Sequence, residues 1–196
     1  MAKASPAVVV LAGPNGAGKT TSARILLAET LQLFTYINAD VIAQGLSGFD
    51  PESAAIEAGR IMLQRLRSLA EQRANFAFET TLAGRSLAHW LKSLRQTGYT
   101  IHLIYFWLAS ADLAVARVAE RVRMGGHDVP EPTIRQRYGR SIRNFFSLYR
   151  PIASYWRMYD NSIGEQPQII ASGDDTGTES VVSEKVWEAI RKGQAP

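Results

Sequence analysis

The sequence predicts an α/β fold in which a five-stranded parallel sheet is flanked by helices. Three observations carry that expectation. Short β-branched or aromatic runs recur at residues 7–11, 34–39, 75–78, 100–108 and 168–171. Segments with apolar residues at helical spacing separate them. The first run is joined to the first helical segment, 21–31, by the glycine-rich stretch Gly13-Pro14-Asn15-Gly16-Ala17-Gly18-Lys19-Thr20. Strands that alternate with helices call for right-handed crossovers, and therefore for parallel pairing.

At 196 residues and 46% hydrophobic, the chain can bury a full core, and its length suits a single domain over residues 1–196 with a small lid. Residues 1–6 carry one lysine ahead of an apolar run too short for a signal peptide, and no stretch approaches a membrane span. No membrane partner is expected. The chain has no cysteine, which removes disulfide frameworks and thiolate metal sites and agrees with a cytoplasmic location.

The glycine-rich stretch fits the phosphate-binding pattern of Gly, four residues, then Gly-Lys-Ser/Thr. Its glycines open backbone angles closed to other residues, so successive N–H groups can turn inward around a polyphosphate where a helix begins. Lys19 then reaches the β- and γ-phosphates of ATP, and Thr20 offers its hydroxyl to a magnesium ion. Gly13, Pro14, Asn15, Gly16, Ala17, Gly18, Lys19, Thr20 and Thr21 are the candidate nucleotide-binding residues. A bare connecting turn is the bland alternative, against which the strand before and the helix after both weigh.

The run 34–39 ends at Asp40. Ligands of open α/β sheets gather at the carboxyl ends of strands, where an aspartate can accept a hydroxyl proton or hold magnesium through water. The other reading of Asp40 is a cap for a helix over 41–45. Residues 52–72 follow as a long helix with Ile56, Gly59, Met62, Leu63, Leu66 and Leu69 toward the sheet; Arg60 beside that face is either solvated or within reach of substrate. The run 75–78 leads into Glu79-Thr80-Thr81, a carboxylate and hydroxyls able to grip a sugar, although Thr80 suits a structural hydrogen bond equally well. Arg85 opens a helix over 86–96, where a diphosphate would also meet the positive helix end, and Gly98 terminates it. The run 100–108 is the most apolar and belongs in the sheet centre. No acidic residue ends it, so magnesium is expected to rest mainly on Thr20, phosphates and water.

The whole-chain charge of +4 is matched by one segment. Arginines 117, 121, 123, 135, 137, 140 and 143 outnumber Glu120, Asp128 and Glu131, with no lysine among them. Arginine alone points to bidentate recognition of phosphate, against the plainer readings of a solvated face or a nucleic-acid patch. Helices over 111–124 and 133–149, joined through the Gly- and Pro-rich loop 125–132, read as a lid covering about residues 117–143. His127 in that loop is either an acid or base or a hydrogen-bonded loop residue. Residues 150–161 read as a further helix, 173–178 as a polar loop and 179–191 as a closing helix.

Taken together, residues 10–21 with Ile37-Asn38-Ala39-Asp40, Phe78-Glu79-Thr80-Thr81 and Glu120-Arg121 resemble the zeta toxin family, over roughly residues 8–161. Only the phosphate loop is specific by itself; the rest persuades by order and spacing. The resemblance implies a three-layer P-loop kinase fold and an ATP- and magnesium-dependent transfer of phosphate to the 3′-hydroxyl of the amino sugar in UDP-N-acetylglucosamine. It implies Asp40 as base, Glu79 and Thr81 as sugar contacts, and Arg85 as a diphosphate contact. It further implies Arg121 as stabiliser of the transferring γ-phosphoryl group, with a second lid residue among His127, Arg135 and Arg137, of which Arg135 is taken. The spacing from Thr81 to Arg85 is two residues longer than the toxin pattern. An antitoxin that occludes the ATP site is the partner the family implies. The expectation is thus an ATP-dependent kinase acting on an alcohol group of a nucleotide sugar, with no nucleic-acid partner. A polynucleotide or nucleoside kinase and an ATP-binding regulatory module are the alternatives; binding alone would need neither Asp40 nor paired lid arginines.

Overall fold

β1 (Ala7–Ala12) carries the run AVVVLA, in which Val8 to Ala12 are all buried, so both faces of this strand must be covered. The computed structural model describes residues 5–24, 26–27, 33–164 and 166–193. Its sheet has seven strands, in the order β2 (Tyr36–Ile37), β3 (Phe76–Thr80), β1, β4 (Thr100–Trp107), β5 (Tyr155–Asp160), β6 (Gln168–Asp174) and β7 (Glu179–Val181). The pairs from β2 to β5 are parallel; β5–β6 and β6–β7 are antiparallel.

Alternate residues of β1 supply two separate cores. Val8 and Val10 join Phe76, Phe78, Leu66 and Leu91 on one face, and Val9 and Leu11 join Ala77, Phe106, Ala114 and Val118 on the other. The first face is covered by α3 (Ala55–Glu71), α4 (Ser86–Gln96) and α7 (Glu184–Arg191), the second by α1 (Lys19–Ala23), α5 (Ala111–Arg123) and α6 (Glu131–Asn144). This is the α/β, three-layer, P-loop kinase-type fold, with a largely parallel sheet between helices. α2 (Ala39–Leu46) packs on α3 through a small separate cluster of Ala43, Ala54 and Ala58.

The sheet has seven strands where five were expected, and the difference lies at its far edge. Residues 150–161, expected to be helical, form a short 3₁₀ turn (Arg150–Ile152) and then β5. Their burial alternates: Tyr155 and Arg157 are exposed, Trp156 and Met158 buried, which is the period of a strand. The expected closing helix over 179–191 is divided into β7 and α7, which begins only at Glu184. The expected helix over 133–149 ends as α6 at Asn144 and continues as a π-helical turn, Phe145–Tyr149. Of the helix expected over 21–31, residues 25 and 28–31 lie outside the described residues.

With β1 flanked by β3 on one side and β4 on the other, the strand order reverses around it. The crevice at the carboxyl ends of β1 and β3 is where such sheets hold ligands.

Candidate active site

The loop from Gly13 to Gly18 leaves β1 through backbone angles that a side chain would obstruct. Gly13 has φ of 141°, and a Cβ built there would lie 2.2 Å from the Phe106 carbonyl oxygen; Gly18 has φ of 74°, and its Cβ would meet the Asn161 side-chain nitrogen at 2.5 Å. Asn161 Nδ2 donates to the Ala17 carbonyl at 2.9 Å, so the end of β5 clamps the loop. Arg117 of α5 fixes that clamp by donating to the carbonyls of Asn161 at 2.7 Å and Ser162 at 3.1 Å. The neighbouring Asn15 keeps its Oδ1 buried with no partner among the described residues.

Lys19 Nζ donates to the Pro14 carbonyl at 2.9 Å, folding its ammonium back across the loop. Burial draws the Lys19 pKa below the ordinary lysine value; the charges of Glu79 and Asp40 oppose the shift, and those of Arg121 and Arg137 add to it. Two carboxylates and two arginines from four different elements therefore bear on one ammonium.

Glu79, at the tip of β3, is the polar centre of the site. Its Oε2 accepts from the Thr20 hydroxyl at 2.8 Å, from Asn38 Nδ2 at 2.6 Å and from the Tyr36 hydroxyl. Burial, then the Glu79 charge and its hydrogen bond, raise the Tyr36 pKa well above an ordinary tyrosine, so the phenol stays a donor. A carboxylate thus stands beside the Thr20 hydroxyl although β4 ends without one. β3, and not β4, brings it there.

Asn38 also answers the alternative reading of Asp40. Its Oδ1 accepts from the Asp40 N–H at 2.8 Å and caps α2. Asp40 is therefore inside the first turn and not the cap. Its carboxylate is exposed, lines the cavity and has no hydrogen bond or ion pair among the described residues.

These groups line one cavity of about 1080 Å³ between the phosphate loop, α3, the β3–α4 loop and the segment from α5 to α6. It includes Asn15 to Thr21, Asp40, Glu79, Thr80, Thr81, Arg117, Arg121, His127 and Arg137. Gly13 and Pro14 lie beneath it as buried residues that shape the turn. Arg121 is held by the lid loop: its guanidinium donates to the His127 carbonyl at 2.6 Å, and the Gly126 N–H donates back to its own carbonyl at 2.9 Å. A Cβ at Gly126 would lie 2.5 Å from Arg121 Cγ, so this loop is shaped around that arginine. His127 thereby contributes its backbone, while its Nδ1 is buried without a partner among the described residues.

Two of the residues expected in the site are not brought to it. Arg135 is exposed, outside the cavity, and tied to Asp112 at 2.6 Å and Glu131 at 2.8 Å, partners that raise its pKa. Arg137, two residues further along α6, faces the cavity instead. Arg85 is also exposed and stands at the start of α4, outside the cavity. The cause is the β3–α4 loop, which is pulled down at two points: Asn144 Nδ2 donates to the Leu82 carbonyl and the Tyr149 hydroxyl to the Gly84 carbonyl, each at 2.7 Å. Leu82 is fully buried with φ of 57°. Ala83 and Gly84 thus reach the cavity and Arg85 does not. Tyr36 and Asn161 were not singled out from the sequence, and Asn38 entered only within the run Ile37-Asn38-Ala39-Asp40, with no role of its own. Asn38 had a signal, an amide just ahead of a helix start; Asn161, read as the end of a helix, had none.

Comparison with known proteins agrees with this fold. A family profile described as AAA domain matches residues 8–140. An uncharacterised protein of Haemophilus influenzae is 32% identical over 126 residues, spanning 64% of this chain and 88% of that protein. Among solved structures, the AvrRxo1-ORF1:AvrRxo1-ORF2 complex with sulphate ions superposes at TM-score 0.78 and 17% identity, covering 94% of this chain. This chain spans 63% of the length of that one. A structure from the PezAT chromosomal toxin–antitoxin system of Streptococcus pneumoniae superposes at TM-score 0.66 and 17% identity, covering 98% of this chain and 86% of the other. No helix among the described residues is long and apolar enough to cross a membrane.

Proposed function

We propose, since this chain belongs to the AAA domain family, that it is an ATP-dependent kinase that transfers the γ-phosphoryl group to a hydroxyl of a nucleotide sugar of the UDP-N-acetylglucosamine kind. The observation that carries this reading is the Asp40 carboxylate, which faces the same cavity as Lys19, Arg121 and Arg137 with no partner among the described residues. Asp40 neither caps α2 nor pairs with another side chain among the described residues, which leaves its oxygens open to an acceptor hydroxyl.

The chemistry follows from the placement. The loop N–H groups and Lys19 hold the β- and γ-phosphates of ATP. Asp40 takes the proton of the acceptor hydroxyl as that oxygen bonds to the γ-phosphorus, and the bond from phosphorus to the β–γ bridging oxygen breaks to release ADP. Arg121 and Arg137 neutralise charge on the transferring group, Arg137 taking the second lid position in place of Arg135. Thr20 and Glu79 would hold magnesium, since a hydroxyl and a carboxylate within 2.8 Å of each other are the hard oxygen donors this ion prefers. When bound, the ion would neutralise charge on the β- and γ-phosphate oxygens. Thr81, which lines the same cavity as Glu79, would contact the sugar. The likeness to the PezAT structure supports a protein partner of the antitoxin kind.

The test is transfer of γ-labelled phosphate from ATP to a panel of nucleotide sugars, with the products separated. Label on UDP-N-acetylglucosamine bears the reading out. Label that never leaves ATP for any sugar nucleotide removes the acceptor class.

A further inference from the structure

α3 lines one wall of the cavity, and Arg60 is the cation it places there. Four of the α3 residues that line the cavity fall at helical spacing: Ile56, Gly59, Arg60 and Leu63 form one stripe. Ile56 is 75% exposed and Leu63 41%, and on the lid side of the same cavity Met124 is 76% exposed. Large apolar side chains left open within a polar site provide surfaces for a flat or apolar part of a ligand. Between them Arg60 is exposed and makes no hydrogen bond or ion pair among the described residues.

The distribution of charge sharpens the point. Arg121 and Arg137 bear on Lys19 and belong to the phosphoryl-transfer side, and Arg117 is committed to the Asn161 and Ser162 carbonyls. Arg85 is outside the cavity. Of the cations that line the cavity, this leaves Arg60 for an anionic group on the acceptor. Arg60 and Leu63 also line the groove of about 470 Å³ that continues along α3 past Arg67, so a long acceptor has room to extend beyond Arg60.

We propose that the acceptor is a nucleotide whose phosphate or diphosphate is bound by Arg60 and whose base lies against Ile56 and Leu63, so that α3, and not Arg85, selects the substrate. This rests on the kinase reading above and adds the residue that recognises the acceptor. Guanidinium recognises phosphate bidentately, which an ammonium reproduces poorly.

The test is calorimetric binding of UDP-N-acetylglucosamine to wild type, Arg60→Ala, Arg60→Lys and Arg85→Ala, each with a parallel titration of a non-hydrolysable ATP analogue. The expected result is a loss of tenfold or more in acceptor affinity for Arg60→Ala, partial recovery in Arg60→Lys, no change for Arg85→Ala, and ATP-analogue binding equal in all four. Weakening by Arg85→Ala with Arg60→Ala unchanged overturns this inference and leaves the kinase reading intact. A wild type that binds the ATP analogue but not the nucleotide sugar overturns both this inference and the nucleotide-sugar acceptor.

Discussion

The two walls of the cavity are built differently. On the nucleotide side, the phosphate loop rises from a strand buried from Val8 to Ala12, Gly13 packs under the Phe106 carbonyl, Ala17 is fully buried, and Asn161 ties the loop to β5. On the side proposed for the acceptor, the lining consists of exposed side chains: Ile56, Arg60 and Leu63 on α3, and Met124 just after α5. One wall is preformed backbone, the other a set of side chains that a ligand must order. ATP geometry is therefore sensitive to single atoms in the loop, whereas acceptor choice can change with little effect on the fold.

The largest effect that would sharpen this contrast is at Gly13. Gly13→Ala forces a Cβ against the Phe106 carbonyl at a positive φ, and should cost about 3 kcal/mol of stability as well as ATP binding. Thermal unfolding and ATP titration of the variant measure both, and a normal melting curve would break the claim that this wall is rigid. Next is Arg121→Ala, expected to lower kcat by about 10³-fold with the KM for ATP little changed. Arg137→Ala should follow the same pattern more weakly, and Arg135→Ala should stay within about twofold, since it loses only exposed ion pairs. Steady-state kinetics of the three variants rank them; a larger loss for Arg135 than for Arg137 would reverse the lid assignment. Asn161→Ala should weaken ATP binding by about tenfold, the value of about one partly buried hydrogen bond.

The smallest expected effect is on pH dependence. Burial raises Tyr138 and Tyr149 each to about 12. Above pH 10 the unfolded chain has released these protons and the folded chain has kept them, so stability present below pH 10 is lost as pH rises toward 12. Denaturant midpoints across that interval should fall, and less steeply for Tyr138→Phe, whose hydroxyl otherwise donates to the Leu108 carbonyl at 2.7 Å.

What the sequence disclosed, and what it hid, divides along the same walls. That part of the phosphate loop, Asp40, Glu79, Thr81 and Arg121 line one cavity was legible because each lies near a strand end or a glycine turn, where local pattern dictates position. The choice between Arg135 and Arg137 was not. Two residues apart, they point to different sides of α6, and which side meets the cavity depends on how α6 rotates against α5, a tertiary matter fixed partly by Asp112. Arg85 was misplaced for a related reason: the loop ahead of it is held by Asn144 and Tyr149, residues some 60 positions away that no local pattern announces. β5 was read as helix because its aromatic residues suit either element and no glycine or proline punctuates 155–160.

The most direct test of the central claim is the single-turnover rate of Asp40→Asn at saturating ATP and acceptor, with ATP affinity measured alongside. A base predicts a fall of about 10²- to 10⁴-fold with ATP binding unchanged. Undiminished phosphoryl transfer by the variant would contradict the account.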